Sequence, residues 1–438
     1  MKHVVLVAGL AAAILLAGER PAEACGGCFA PPETPTVVTD HRMVFAVSRD
    51  QSTLYDQIRY QGAPESFAWV LPFAGQIEVG VSSDALFATL DSNTQTVILP
   101  PPTNCPPRPS GCSRAARASA SPDQAGNGGV EVLKREVVGP YDTVQLKATD
   151  PNALIDWLAQ NRYALPDDVK PVVAAYQGEH FNFLALKLVP GKGVQDMRPV
   201  RVTTKGANVA LPLRMVAAGA GANVGITLWV VAEGRYEPQN FGSFVIEANE
   251  LVWSWAESKS NYTDLRAKKT ADGGGRVWEV ESSTQLPRTL IDDQMRYERS
   301  YLPVSDAGAL DPEAQEAEAR SADLEVLFAG IVPGAERVTR MRADLSRAAL
   351  DHDLLLRATA DQSPLTRQRQ VTAEIGEPQC PIFDGCDGAG TAPRSEAIRR
   401  ANGDDGGCTT TTGRASPAWL AVALGFLGVS LRRRRRRN

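Results

Sequence analysis

The 438-residue sequence predicts an α+β fold: a largely antiparallel β-sheet body with a few short helices, a long irregular stalk and a C-terminal transmembrane helix. Three observations carry this. Short apolar runs with period-two alternation recur between Gly and Pro punctuation, the mark of strands joined by turns. Helical patterns are few and do not alternate strictly with the strands, which argues against a doubly wound parallel sheet. Both ends of the chain are apolar, with flanking charges in the pattern of export and membrane signals.

Taken in order, residues 36–47 form a strand with Val38, Met43, Phe45 and Val47 as its apolar content. Residues 54–60 and 67–71 continue it as an antiparallel run. Ser83 caps a short helix over 84–90, whose apolar face is Leu86, Phe87 and Leu90. A strand over 96–99 ends at Pro100-Pro101-Pro102. Residues 130–138 and 141–148 make a strand pair turned at Gly139-Pro140. Asp150-Pro151 is a helix start, a cap followed by Pro at the first position, and that helix runs to about Asn161. A second short helix covers 167–176. Strands follow over 181–189, 200–204, 213–217 and 224–232, the last with the apolar continuity of a buried central strand. Residues 251–255 and 276–280 are further strands around a helix over 262–269. Asp311-Pro312 repeats the cap-plus-Pro start, and its helix turns Leu324, Leu327, Phe328 and Ile331 toward the core. In 339–345, Met341, Ala343 and Leu345 alternate with Arg340, Arg342 and Asp344, a half-exposed strand.

The organisation that follows is a signal peptide over 1–24, an N-terminal part of the body over 25–99, and a Pro/Ser/Gly-rich linker over 100–129. The main body covers 130–358, a disordered stalk 359–407, and a tail 408–438 with a transmembrane helix over 415–431. The composition shift at 100–129 is the clearest internal boundary. Residues 1–24 carry no net charge, so setting aside Arg432 to Arg437 takes the formal charge from −5 to −11. An acidic body argues against nucleic-acid binding as its purpose.

At the front, Lys2 precedes an apolar run over 4–17, and Ala22-Glu23-Ala24 forms an A-x-A site for signal peptidase, making Cys25 the first mature residue. A Cys there also fits lipoprotein processing; Glu23 and the lack of a Leu at −3 count against it. At the back, the uncharged run over 417–431 is fifteen residues long, roughly 22 Å of helix. A spanning helix needs about twenty residues for a core near 30 Å, so Ala415 and Ser416 must extend it or the bilayer must thin. The arginines behind it stay cytoplasmic, which places the body outside. Cell-envelope localisation, facing outward, is the expectation.

Six cysteines other than Cys408 fall as three close pairs: Cys25/Cys28, Cys105/Cys112 and Cys380/Cys386. Outside the cytosol such pairs are oxidised, and three local disulfides are expected to pin loops.

Catalytic motifs do not accumulate. Cys25-Gly26-Gly27-Cys28 is a CxxC, but redox sites put that motif at a helix start, and Pro31-Pro32 follow. A small structural disulfide, a redox or metal role, and lipidation of Cys25 are the readings. Asp351-His352-Asp353 and Glu179-His180 carry metal-ligand atoms without a second His at i+3 or i+4, and read as exposed turns. Gly219-Ala220-Gly221 lacks the completing glycine, since Val224 stands there, and lacks the Lys-Ser/Thr of a phosphate loop. Trp229, Trp253, Trp255 and Trp278 line either a carbohydrate groove or the core. No metal and no cofactor are expected. A binding or structural module is the leading reading, with an envelope thiol-disulfide protein or hydrolase, or a glycan-binding module, as alternatives.

Two resemblances add to this. Gly407-Cys408, a Thr-rich spacer, the short apolar helix and the terminal Arg block resemble the myxobacterial C-terminal sorting signal, the MYXO-CTERM tail. That implies a sortase-like membrane protease cutting near Cys408 and transfer to the cell surface; a plain uncut anchor is the other reading. The residues 24–29, 67–72, Tyr141-Asp142, Asp150-Pro151 through Trp157-Leu158, and Leu211-Pro212-Leu213-Arg214 to Leu228-Trp229-Val230 resemble domain-of-unknown-function family 2330. The similarity spans roughly 25–358 and implies a secreted or surface bacterial protein, with no functional residues to carry over.

Overall fold

The computed structural model describes residues 28–29, 38–57, 68–108, 137–147, 151–160, 170–217, 220–297, 312–384 and 387–403. They divide into two compact units, one from residues up to 102 and 120–376, the other from 103–119 and 377 onward.

The larger unit is built on an eight-stranded sheet. Its order is Gly242–Phe244, Val277–Gln285, Glu336–Ser346, Ala220–Glu233, Val38–Val47, Gln51–Gln57, Val200–Lys205 and Ile77–Val81. Two of its pairings are parallel, Gly242–Phe244 with Val277–Gln285 and Ala220–Glu233 with Val38–Val47. The others are antiparallel. A five-stranded antiparallel sheet runs Cys28–Phe29, Ala68–Phe73, Asn182–Leu188, Tyr141–Leu146 and Val137–Val138.

Side-chain alternation sorts these strands into layers. From the central strand, Val224, Ile226, Leu228 and Val230 join one core with Trp69, Leu71, Leu184 and Leu186 of the five-stranded sheet. Trp229 and Val231 face the other way. They meet Leu86, Phe87 and Leu90 of the helix Asp84–Thr94, Ile291 and Met295 of Arg288–Tyr297, and Leu324 and Leu327 of Pro312–Leu327. The outer face of the five-stranded sheet, with Ala68, Val70, Phe183 and Ala185, is covered by Leu154, Leu158, Val173 and Tyr176. Those come from the helices Pro151–Gln160 and Lys170–Gly178. The result is four layers, helices, sheet, sheet, helices. A strand covered on both faces needs apolar residues at every position, which is why Val224 to Ala232 is so continuously apolar.

The mixed α+β class stands, and Leu324, Leu327, Phe328 and Ile331 all enter the core as expected. Several expectations are corrected. The stretch 213–217 is a short helix, Leu213–Val216, not a strand; four residues with apolar positions 213, 215 and 216 fit either period. The strand expected over 67–71 is Ala68–Phe73, and it pairs with Asn182–Leu188 instead of continuing the run. The composition boundary at 100–129 separates no domains of the sheet, because Val38–Val47 lies between Ala220–Glu233 and Gln51–Gln57.

The stalk is corrected too. Within 359–403, Gln368–Gln370 pairs in parallel with Val97–Leu99, and Ala373–Ile375 with Val252–Ser254. Beyond them lie a hairpin of Gln379–Asp384 with Asp387–Pro393 and a helix Arg394–Ala401. These polar strands bury little of their own, so periodicity cannot reveal them. Arg369 is an exception, buried with its guanidinium donating to the carbonyls of Ile246 and Glu281.

The cysteine pairing is corrected within the smaller unit. Cys105 is bonded to Cys380, 275 residues away, so the local pairs Cys105/Cys112 and Cys380/Cys386 do not form. Arg108 lies 5.8 Å from the Phe383 ring in the same unit.

Candidate functional site

Alternation along Val38–Val47 sends Met43, Phe45 and Val47 into the core between the two sheets. Position 41 shares their face, and it is occupied by a histidine. On the neighbouring strand Leu54 faces the same core, and two residues on is Asp56, which stands opposite Met43. His41 is 1 % exposed and Asp56 3 %. Two ionisable side chains therefore sit where the pattern calls for apolar ones.

Nε2 of His41 lies 2.9 Å from Oδ1 of Asp56. The approach lacks hydrogen-bond alignment, and both ring nitrogens and Oδ1 are without a hydrogen-bond partner. Burial lowers the His41 pKa to about 4 and raises that of Asp56 well above the usual carboxylate range. Each group is pushed toward its neutral form because charge is poorly solvated there. The pair borders a cavity of about 20 Å³, also lined by Met43, Trp69, Leu211 and Met215. Leu211 ends the strand Ala210–Leu211 and Met215 sits on the short helix Leu213–Val216 that follows it. The space is atom-sized, far below the several hundred Å³ of a metabolite pocket.

Other polar centres are partnered by their neighbours, except that Oε2 of Glu279 is buried without a hydrogen-bond partner. Oδ2 of Asp323 accepts from the Ser82 hydroxyl at 2.9 Å and from the Ser83 hydroxyl and amide at 2.8 Å, while Oδ1 accepts from Arg201 at 3.0 Å. Arg340 binds Glu281 and Asp91 and lies 5.1 Å from the Trp229 ring. Glu279 accepts from the Tyr262 hydroxyl at 2.7 Å, and burial raises its pKa to about 7.

The residues singled out from sequence are placed as follows. Cys28 lies on a strand, opposite Trp69, so the helix dipole that activates a redox CxxC is not at that residue. Cys25, Cys112, Cys386, Gly407, Cys408, Ala22 and Ala24 lie outside the described residues, as do the segments expected to be a signal peptide and a transmembrane helix. Among the described residues, no helix is long and apolar enough to cross a membrane.

Glu179 and Asp353 come together, but around a guanidinium instead of a metal. Arg214 binds both Glu179 oxygens at 2.6 and 2.7 Å and Asp353 at 2.8 Å, and stacks 4.0 Å from the Tyr176 ring. His180 and His352 are exposed, His180 with a positive φ of 67°. Of the four tryptophans, Trp229 and Trp278 are fully buried. Trp253 and Trp255 make an edge contact at 6.1 Å. The four do not form one groove. Ala220 and Gly221 begin the central strand and not a phosphate loop, and Gly219 lies outside the described residues.

Sequence reasoning gave neither His41 nor Asp56 a role. The usable signal was the period-two pattern itself, which counts 41 with 43 and 45, and 56 with 54.

Fold and pair define a mixed α+β protein, mostly sheet, with a polar pair between its two largest sheets. The chain belongs to domain-of-unknown-function family 2330, an uncharacterised protein conserved in bacteria, whose model matches residues 21–357. No curated protein and no solved structure matches it.

Proposed function

We propose that this is an exported bacterial envelope protein that acts outside the cytoplasm by binding or by structure. The observation that carries the reading is the Cys105–Cys380 bond. Disulfides between distant segments persist in oxidising compartments and are rare in a bacterial cytosol. The apolar run over 4–17 with its A-x-A site supports export, and the tail from Gly407-Cys408 to the Arg block supports anchoring or sortase-like processing at Cys408. The strand position of Cys28 favours a structural over a redox use of its thiol.

Protease treatment of intact cells, with mass spectrometry of the mature ends, tests the proposal. Cleavage of the body on unbroken cells, a start at Cys25 and an end near Cys408 are expected. Full protection together with an uncleaved N-terminus contradicts it.

A further inference from the structure

We propose that the helix Tyr262–Asp272 is a pH-sensitive cover over the buried carboxyl of Glu279, closed while that carboxyl holds its proton and loosened once the proton leaves. This rests on the geometry of the larger unit and is independent of the export reading.

The helix is held lightly. None of its residues is buried. Tyr262 and Leu265 pack against the small apolar cluster of Ile246, Leu251 and Val371. Lys269 reaches Glu250 at 2.7 Å and Arg266 reaches Asp344 at 3.8 Å, and half-exposed ion pairs of this kind contribute little. Asn261 stands before the first turn without capping it, because its Oδ1 accepts from the Val252 amide at 2.8 Å. An element with so few buried contacts opens locally before the sheet unfolds.

Beneath it lie two carboxyls of the strand Val277–Gln285, Glu279 at 2 % exposure and Glu281 at 4 %. One hydroxyl of the helix serves both. That of Tyr262 donates to Oε1 of Glu279 at 2.7 Å and reaches Oε1 of Glu281 at 3.5 Å. Oε2 of Glu279 has no partner, the place where an acid proton relieves the cost of a bare buried oxygen.

The surrounding charges do not hold Glu279 ionised. Arg342 stands opposite it in the antiparallel register, and Phe244 stands opposite it on the other neighbouring strand. Arg266 of the helix is shared with Asp344. Arg340 is engaged by Glu281 and Asp91, and Arg369 by the carbonyls of Ile246 and Glu281. Burial therefore outweighs the nearby cations, and Glu281 adds repulsion. With the helix lifted, water solvates the carboxylate and its pKa returns toward 4.5, against about 7 when covered. The closed form binds the proton more tightly, so its advantage is complete below about pH 4.5 and is lost as pH rises through 7.

Hydrogen exchange of the full chain at several pH values, corrected for the intrinsic rate at each, tests the cover. Amides of residues 262–272 are expected to be far less protected than those of Ala220–Glu233, and their protection falls about tenfold between pH 6 and pH 8. Glu279→Gln keeps the shape and the acceptor but cannot ionise, so its protection stays level across that window. Tyr262→Phe keeps the ring but loses the hydroxyl that favours the carboxylate, so the fall moves to higher pH. Protection of 262–272 equal to that of the central strand overturns the proposal, since the helix then opens only with the whole fold. So does protection that is unchanged with pH, or a fall of the same size in Glu279→Gln.

Discussion

Arg340 stands at a position that alternation along Glu336–Ser346 assigns to solvent, yet it is 4 % exposed. The helix Asp84–Thr94 covers that face and brings Asp91 to the guanidinium, with Glu281 on the adjacent strand as its second partner. Removing one member of a buried pair strands the other charge, so Arg340→Met is expected to cost about 3–5 kcal/mol in urea unfolding. The double variant Arg340→Met/Glu281→Leu should recover much of that; an additive double loss would contradict the pairing. Glu279 makes a pH prediction. Its folded pKa of about 7 lies above its ordinary 4.5, so the folded state holds the proton more tightly. That contribution is complete below about pH 4.5 and is lost as pH rises through 7, on the order of 3 kcal/mol across the window. Glu279→Gln should flatten this fall and stabilise the protein at pH 8, measured by denaturant midpoints across pH. At this scale the sequence was least legible. His41, Asp56, Glu279 and Arg340 are buried through partners far away in the chain, and one strand read by itself shows only its own alternation.

Among the elements, those with local signals were read well. Ser83 before Asp84 announces a helix, and its side chain does accept from the Leu86 amide at 3.3 Å. The same hydroxyl donates to Asp323 at 2.8 Å, a second role that no cap rule foresees. Ser83→Ala is therefore expected to exceed the usual cap loss of about 1 kcal/mol and approach about 2 kcal/mol or more, read as a lowered melting temperature. A loss near zero would mean that neither bond matters. The Pro151 and Pro312 helix starts were legible for the same reason, since Pro at the first turn sacrifices no helical hydrogen bond. Leu213–Val216 was not, because a single turn has no period to read. The strands Gln368–Gln370 and Ala373–Ile375 were missed because their register comes from partners some 120 or more residues earlier and not from their own apolar content.

For the whole molecule, the sequence predicted the mixed class and many of the strands but not which strand lies beside which. The parallel contact of Val38–Val47 with Ala220–Glu233 joins segments on either side of a stretch whose composition resembles a linker. The disulfide shows the same limit. Close spacing suggested local pairs, and the fold joined Cys105 to Cys380 instead. Closing so long a loop constrains the unfolded chain far more than a six-residue loop would, so Cys380→Ser is expected to destabilise the smaller unit by about 2–5 kcal/mol, seen as earlier proteolysis within residues 377–403. The most direct test of the account as an exported protein is a non-reducing peptide map of the native chain, trapped with a thiol-blocking reagent at cell lysis. The account predicts a cross-linked Cys105–Cys380 peptide in the envelope fraction; recovery of both residues as blocked free thiols in the cytosolic fraction would contradict it.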